Sequence, residues 1–253
     1  MRTICINSYS EILDIVSHFK GGNLSDEFLF RGTSGKLLPS LSDKCSYESY
    51  FDLAYKENNL LNEFKEYSNL KYQFQNSNAI DWEIRIAARE HGIFSSLMDW
   101  SNDIKIALEF AIYNFEIKSI DYTNLWILNR SPFNCIDINE ETSMSFSEID
   151  EPYILNFNLD KTYSEAAYSR RKFIQGGFFF TQPYSEIITP LNQNSKVKEA
   201  LAHIIIPKEA VSNIWQSLSK IIDLSKPAML SSLYNNNSEV LDGICDKLNA
   251  RYI

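Results

Sequence analysis

The chain is poor in the residues that most enzyme signatures require. Its 253 residues include eight glycines, none in a G-x-G-x-x-G or G-x-x-x-x-G-K-[ST] pattern. Rossmann dinucleotide binding and P-loop phosphate binding therefore lack the glycine turns through which backbone N–H groups reach a phosphate. No G-x-S-x-G elbow and no H-E-x-x-H occurs either. There are three histidines, His18, His91 and His203, and four scattered cysteines, Cys5, Cys45, Cys135 and Cys245, with no C-x-x-C pair. That set argues against a zinc site and predicts reduced thiols in a cytoplasmic protein. Long apolar runs are missing too. No stretch approaches the roughly 20 residues that span a bilayer, and the first residues lack the apolar core of a signal peptide, so no membrane partner is expected. Basic residues are outnumbered, 24 Lys+Arg against 33 Asp+Glu, for a formal charge of −9. Such a surface repels a long duplex nucleic acid, while leaving room for a local basic pocket that takes one small anion.

What is present is apolar and aromatic. At 44% hydrophobic and 13% aromatic, the chain holds enough core for a single domain over 1–253. An amphipathic helix is predicted over 8–19, with Ile12, Ile15, Val16 and Phe19 on one side and Gly21-Gly22-Asn23 ending it. Residues 27–33 read as a strand in which Phe28 and Phe30 alternate with Leu29 and Arg31. Residues 37–41 read as an extended loop, because Pro39 disfavours helix at Leu38. Helices are predicted over 47–75, 79–91 and 103–116, and strands over 124–129, 152–158, 173–181 and 202–206. A helix over 207–222 and a closing helix around 240–248 follow, and the acidic stretch 137–151 reads as a solvated excursion. The fold class implied is α+β. A helix-rich N-terminal half packs on a mixed or antiparallel sheet formed mainly by the C-terminal half.

Several polar residues stand where folding alone would not place them. His91 ends an apolar helical face, and Gly92 suits the left-handed position just past a helix. Asp99 and Trp100 read as the opening of the next helix, with Ser101 or Asn102 as its cap. Arg31 lies in an otherwise buried strand. A buried charge costs several kcal/mol unless paired, so Arg31 either pairs with a carboxylate such as Asp99 or grips a phosphate or ribose with its guanidinium fork. Gly32 then either lets a ligand approach the strand or marks a bulge. His91 is either a satisfied core histidine or an anion-binding group at a helix C-terminus. Asp99 is either a helix cap or the orienting partner of His91 or Arg31. Trp100 is either core or a surface on which a base stacks.

Taken together, these residues resemble the FRG domain family. Its aromatic-Arg-Gly motif is matched by Phe30-Arg31-Gly32, its Leu-Pro-Ser by Leu38-Pro39-Ser40, and its Glu-Phe by Glu63-Phe64. Its run of roughly Gln-His-x-Gly-x-x-Thr-Arg-Leu-Leu-Asp-Trp-Thr is matched by residues 90–101, from Glu90-His91-Gly92 to Met98-Asp99-Trp100-Ser101, followed by Ala107-Leu108-Glu109-Phe110-Ala111. A later Arg-x-x-x-Gln-x-Gly-x-Phe is echoed from Arg171 through Gln175 to Phe178. Ser96 replaces the family's Arg, and the spacing between His91 and Gly92 is one residue shorter.

The resemblance implies a bacterial or phage protein with an antiviral-defence or toxin role. The strand-borne aromatic-Arg-Gly is in turn similar to the first motif of ADP-ribosyltransferases of the Arg-Ser-Glu class, whose Arg holds NAD. On that footing the expected ligand-binding residues are Arg31, Gly32, Trp100 and Gln175, and the expected catalytic residues are His91, Asp99 and Glu165. Gln175 stands near the place where those enzymes carry Glu and cannot supply a carboxylate. Glu165 is the nearest upstream acid. Three readings follow. The first is an NAD-using ADP-ribosyltransferase-like effector, with NAD as substrate and a protein target. The second is a catalytically inert domain that senses a nucleotide-like small molecule or binds a protein. The third is a metal-dependent nuclease in which Asp99, Glu63 and Glu90 hold Mg²⁺. The first two expect Arg31, His91, Asp99 and Gln175 to share one cleft.

Overall fold

A computed structural model describes residues 2–20, 27–67, 77–118, 121–137, 145–156, 177–220 and 239–253. In chain order the elements are β1 (Arg2–Cys5), α1 (Tyr9–Lys20), β2 (Phe28–Thr33), α2 (Ser40–Lys44), α3 (Tyr50–Tyr67), α4 (Ser77–Glu90), β3 (Met98–Ser101), α5 (Ile104–Lys118), β4 (Tyr122–Asn129), β5 (Asn134–Asp137), β6 (Tyr153–Asn156), β7 (Gly177–Thr181), β8 (Leu201–Pro207), α6 (Lys208–Ser219) and α7 (Glu239–Asn249). The class is α+β, as the sequence implies. The strands come from both halves of the chain, not mainly from the second, because β1, β2 and β3 all precede residue 102. The residues group into two compact units, each assembled from three segments of chain.

The first unit comprises Met1–Leu37, Trp100–Pro132 and Ser195–Asn235. Its strands run in the order β1-β8-β4-β2-β3. The β1–β8 pair is parallel, and β8–β4, β4–β2 and β2–β3 are antiparallel. Phe28, Phe30, Leu125, Ile127, Ile204 and Ile206 turn one face into a core shared with side chains of α1, α5 and α6. Period-2 alternation sends Leu29, Arg31, Trp126 and His203 to the other face. Gly32 lies on the helix side. A Cβ built there would stand 1.9 Å from the Ala107 carbonyl oxygen and 2.5 Å from the Ala111 nitrogen. The glycine is what lets α5 pack directly on the strand, and this packing role, not ligand approach or a bulge, accounts for it. At the start of α5, Asp103 Oδ1 accepts the Lys105 N–H at 2.9 Å, and Ser101 Oγ accepts the Asp103 N–H at 3.0 Å. The helix is thus capped by Asp103, with Ser101 supporting the turn before it.

The second unit comprises Leu38–Asp99, Phe133–Asn194 and Asn236–Ile253. Strands β5 and β6 pair in parallel, and β6 and β7 antiparallel. One core joins Leu53, Leu60 and Phe64 of α3 to Ala87 and Ala88 of α4 and Leu248 of α7. A second gathers Trp82, Leu97, Phe146, Leu155 and Phe179. Helix α4 ends as its glycine predicts. Gly92 has φ +92°, its N–H donates to the Arg89 carbonyl at 3.0 Å, and the Ile93 N–H donates to the Ala88 carbonyl at 2.9 Å. These are the two bonds of a Schellman cap.

Three local expectations change. Asp99 and Trp100 do not open a helix but lie in β3, where Met98 and Trp100 are buried on either side of half-buried Asp99. The extended stretch before Pro39 gives way at Ser40 to the short helix α2. The end of the acidic excursion is packed, not solvated. Phe146 is 2% exposed and meets Trp82 and Tyr184 edge-on, at 5.4 and 5.1 Å between ring centroids. Burial of that aromatic ring outweighs the charge around it.

Candidate functional site

The polar face of the first unit is organised by strand register. Arg31 of β2 pairs with Trp126 of β4. Trp126 pairs with His203 of β8, which pairs with Thr3 of β1. On the other side of β2, Phe30 pairs with Ser101. One step along this antiparallel ladder sets Trp100 opposite Arg31. The result is a transverse row, Trp100, Arg31, Trp126, His203, Thr3, with successive strands about 4.8 Å apart and side chains in cross-strand contact range.

Within the row, the Trp126 and His203 rings stack face to face, 4.0 Å between centroids at 5°. His203 Nε2 lies 2.8 Å from Asn124 Oδ1. The Asn124 amide nitrogen donates to the Thr33 carbonyl at 3.1 Å, which leaves Oδ1 facing the ring and makes Nε2 the donor. Burial holds the His203 pKa below its ordinary value, so the neutral tautomer keeps Nδ1 as an acceptor. Trp100 and Trp126 are 2% and 4% exposed. The indole Nε1 of each is buried with no hydrogen-bond partner among the described residues. Arg31 and His203 are half-buried. The row therefore holds a permanent cation, two indole N–H donors without partners among the described residues and a neutral imidazole, and none of its five members is a carboxylate.

A second polar cluster, inside the second unit, has the opposite character. Glu57 of α3 is fully buried. Its Oε1 accepts the Ser96 N–H at 2.6 Å and the Ser96 hydroxyl at 3.0 Å. Its Oε2 accepts the Tyr184 hydroxyl at 2.5 Å and lies 3.2 Å from Arg85 Nη1. Arg85 also reaches Asp81 at 3.2 Å, and its guanidinium sits 4.1 Å from the Phe146 ring centroid. Burial works against the Arg85 charge, but Glu57, Tyr184 and Asp81 outweigh it and hold the guanidinium firmly protonated. Burial, then Glu57, pushes the Tyr184 hydroxyl well above its ordinary value, so it stays a donor. The run 92–97, the most distinctive part of the resemblance, is held by this cluster and two other side chains. Asn249 accepts from the Phe94 N–H at 3.0 Å and donates to the Gly92 carbonyl at 2.8 Å, and Ser40 Oγ accepts the Ser95 N–H at 3.0 Å. The cation facing Glu57 is Arg85, and Ser96 meets the same carboxylate with its N–H and hydroxyl.

Of the residues expected at the site, the structure brings Arg31 and Trp100 together on one row. Gly32 adjoins them in sequence but faces α5. His91 follows α4 in the second unit, half-buried, its ring 5.9 Å from that of Phe64. Asp99, also in the second unit, accepts from Arg89 at 2.7 Å, a partner that the sequence reading did not name. Glu165 and Gln175 lie outside the described residues. The trio proposed for a nuclease is not assembled. Among the described residues no three His, Cys, Asp or Glu side chains gather to hold a metal, and Glu63 pairs with Arg251 at 2.5 Å. No described helix is long and apolar enough to cross a membrane, and all four cysteines are free thiols. The sequence gives no separate signal for Trp126, His203 and Asn124, which join Arg31 as candidates only through strand register. Each is a polar or aromatic residue at the alternate positions of a predicted strand, a signal that becomes specific only once register is known.

The first unit is thus a mixed sheet with helices on one face and an Arg-aromatic row on the other. The family model for the FRG domain matches residues 26–118, and over that segment the chain is similar to the family. The match contains Arg31, Gly32, His91, Asp99 and Trp100, while Trp126 and His203 lie beyond it. No curated protein and no solved structure matches the chain, so the similarity to ADP-ribosyltransferases has no counterpart among the matches.

Proposed function

We propose that the face carrying Trp100, Arg31, Trp126 and His203 binds a small anionic, nucleotide-like ligand. The supporting observation is the pair of buried indole N–H groups on the strands flanking Arg31, neither of which has an acceptor among the described residues. Leaving a buried donor unsatisfied costs about 1–3 kcal/mol. An anion answers this cost by bringing acceptors to both indoles, while the planar guanidinium supplies charge and two parallel donors.

A narrower version of the same reading is NAD use in the manner of an ADP-ribosyltransferase. It is favoured by the position of Arg31 on an inner strand directly before Gly32. Cleaving the nicotinamide–ribose bond builds positive charge on the ribose, which a carboxylate stabilises. The row has no carboxylate, so transfer would depend on Glu165, whereas binding does not.

Calorimetry with NAD and ADP-ribose tests binding, and nicotinamide release, with and without protein acceptors, tests transfer. Wild type should bind at least one of the two nucleotides. Arg31→Lys should melt close to wild type yet bind at least tenfold more weakly, because an ammonium cannot present two parallel donors. If wild type binds neither nucleotide and Arg31→Lys melts early, Arg31 is a packing residue and the reading fails.

A further inference from the structure

We infer that Glu109 is a pH-responsive device built into helix α5, which packs most tightly when this carboxyl is protonated and loosens when it ionises. The inference is independent of the binding reading above. It starts from an acid enclosed with nothing to meet its charge. Ile106, Ala107, Leu108 and Glu109 are consecutive and all buried, Glu109 to 7% exposure. Four consecutive residues go once round a helix, so α5 is enclosed on every side at this turn. Among the described residues no donor hydrogen-bonds the Glu109 carboxyl and no cation pairs with it, half-buried Lys105 four residues earlier included. A buried carboxylate without a partner is costly, whereas its neutral form is far less so.

The elements packed in the same core leave the ionised form unsupported. The sheet turns Phe28, Phe30, Leu125 and Ile127 into that core, and the Thr123 hydroxyl donates to the Ala111 carbonyl at 2.9 Å. None of these carries a charge. α6 begins with Lys208 and Glu209, both exposed. α1 keeps Glu11, Asp14 and His18 exposed, and its buried Tyr9 hydroxyl is pushed up first by burial and then by Asp103. Asp103, at the start of α5, is the charged group that acts on Glu109. Burial, and then this like charge, hold the Glu109 carboxyl above its ordinary value. The folded state therefore binds the proton more strongly than the unfolded chain. The contribution to stability is full below the ordinary carboxyl range and is lost as the pH rises through the raised value. The consequence reaches β2, because α5 lies directly on that strand at Gly32, where a Cβ would stand 1.9 Å from the Ala107 carbonyl oxygen.

The test is urea denaturation of the full chain and of Glu109→Gln at pH 4 and pH 8, followed by tryptophan fluorescence. Gln keeps the shape of the side chain and does not ionise. The folded-to-unfolded ratio of the variant, taken relative to wild type, should be several-fold larger at pH 8 than at pH 4. All other titrating groups are common to both proteins and drop out of that comparison. Glu109→Met, close in volume and without a polar head, should show the same rise. Amide hydrogen exchange, corrected for its intrinsic pH dependence, locates the effect. The α5 and β2 amides should lose protection toward pH 8 in wild type and keep it in Glu109→Gln. A relative ratio that does not change with pH, or α5 protection that is the same in both proteins, overturns the inference. A ratio that falls toward pH 8 overturns it too, because the carboxylate then has a partner. Failure of both variants to fold has the same consequence, since α5 would then require the carboxyl itself.

Discussion

The Glu57–Arg85 cluster and the Trp100–Arg31–Trp126 row are both buried and polar, and they differ in how their hydrogen bonds close. Around Glu57 each carboxylate oxygen meets two donors, and Arg85 meets Glu57, Asp81 and a ring face. On the row, two indole donors stay unanswered among the described residues. A closed network explains itself by what it holds, here the backbone of residues 92–97. An open pair of buried donors does not explain itself in that way, and it is what the proposed ligand would answer. The difference also separates two parts of the FRG resemblance. The run around His91 reads as architecture, and Phe30-Arg31-Gly32 contributes a packing glycine and, on the opposite face of the same strand, the arginine proposed to bind.

The largest effect is expected from breaking the closed network. Glu57→Ala should destabilise the protein by about 3–5 kcal/mol, because it strands the Arg85 charge in a buried site. Chemical denaturation followed by tryptophan fluorescence reads this directly. A loss below about 1 kcal/mol would mean that the network is not closed as described. A smaller loss is expected at Gly32. Gly32→Ala overpacks the α5 contact, and overpacked cores typically lose about 1–3 kcal/mol. A variant as stable as wild type would show that α5 shifts freely and that the glycine has another purpose. The smallest stability change belongs to the open set. Trp126→Phe removes an unanswered donor along with part of a ring, so relief of desolvation offsets lost packing and stability should stay within about 1 kcal/mol of wild type. ADP-ribose affinity should nevertheless fall several-fold in calorimetry. If Trp126→Phe costs as much as Glu57→Ala, the row is a structural core and the contrast between the two regions dissolves.

Much of the local structure was legible because its causes are local. Gly92 ended α4 because a left-handed residue closes a Schellman cap at little cost. The Phe28/Phe30 alternation marked β2, since period 2 sorts a strand's faces. The reading failed where two patterns fit equally well. Met98-Asp99-Trp100 suits either a helix start or a short strand, and pairing with β2 selected the strand. Phe146 sat in a run of carboxylates that suggested solvent, and only the approach of Trp82 and Tyr184 explains its burial.

The sequence by itself determined the α+β class, most of the helices, the ending of α4 and the anomaly of an arginine in an apolar strand, because periodicity, glycine and charge act on near neighbours. Only the tertiary structure decided what Arg31 stands beside. Strand order and register are set by the fit of whole faces across long stretches of chain. Nothing near Trp126 or His203 in sequence announces that they line up with Arg31. The same applies to Gly32, whose need for a missing Cβ is created by helix α5, and to Asp99, whose partner Arg89 is brought to it by the turn that Gly92 makes.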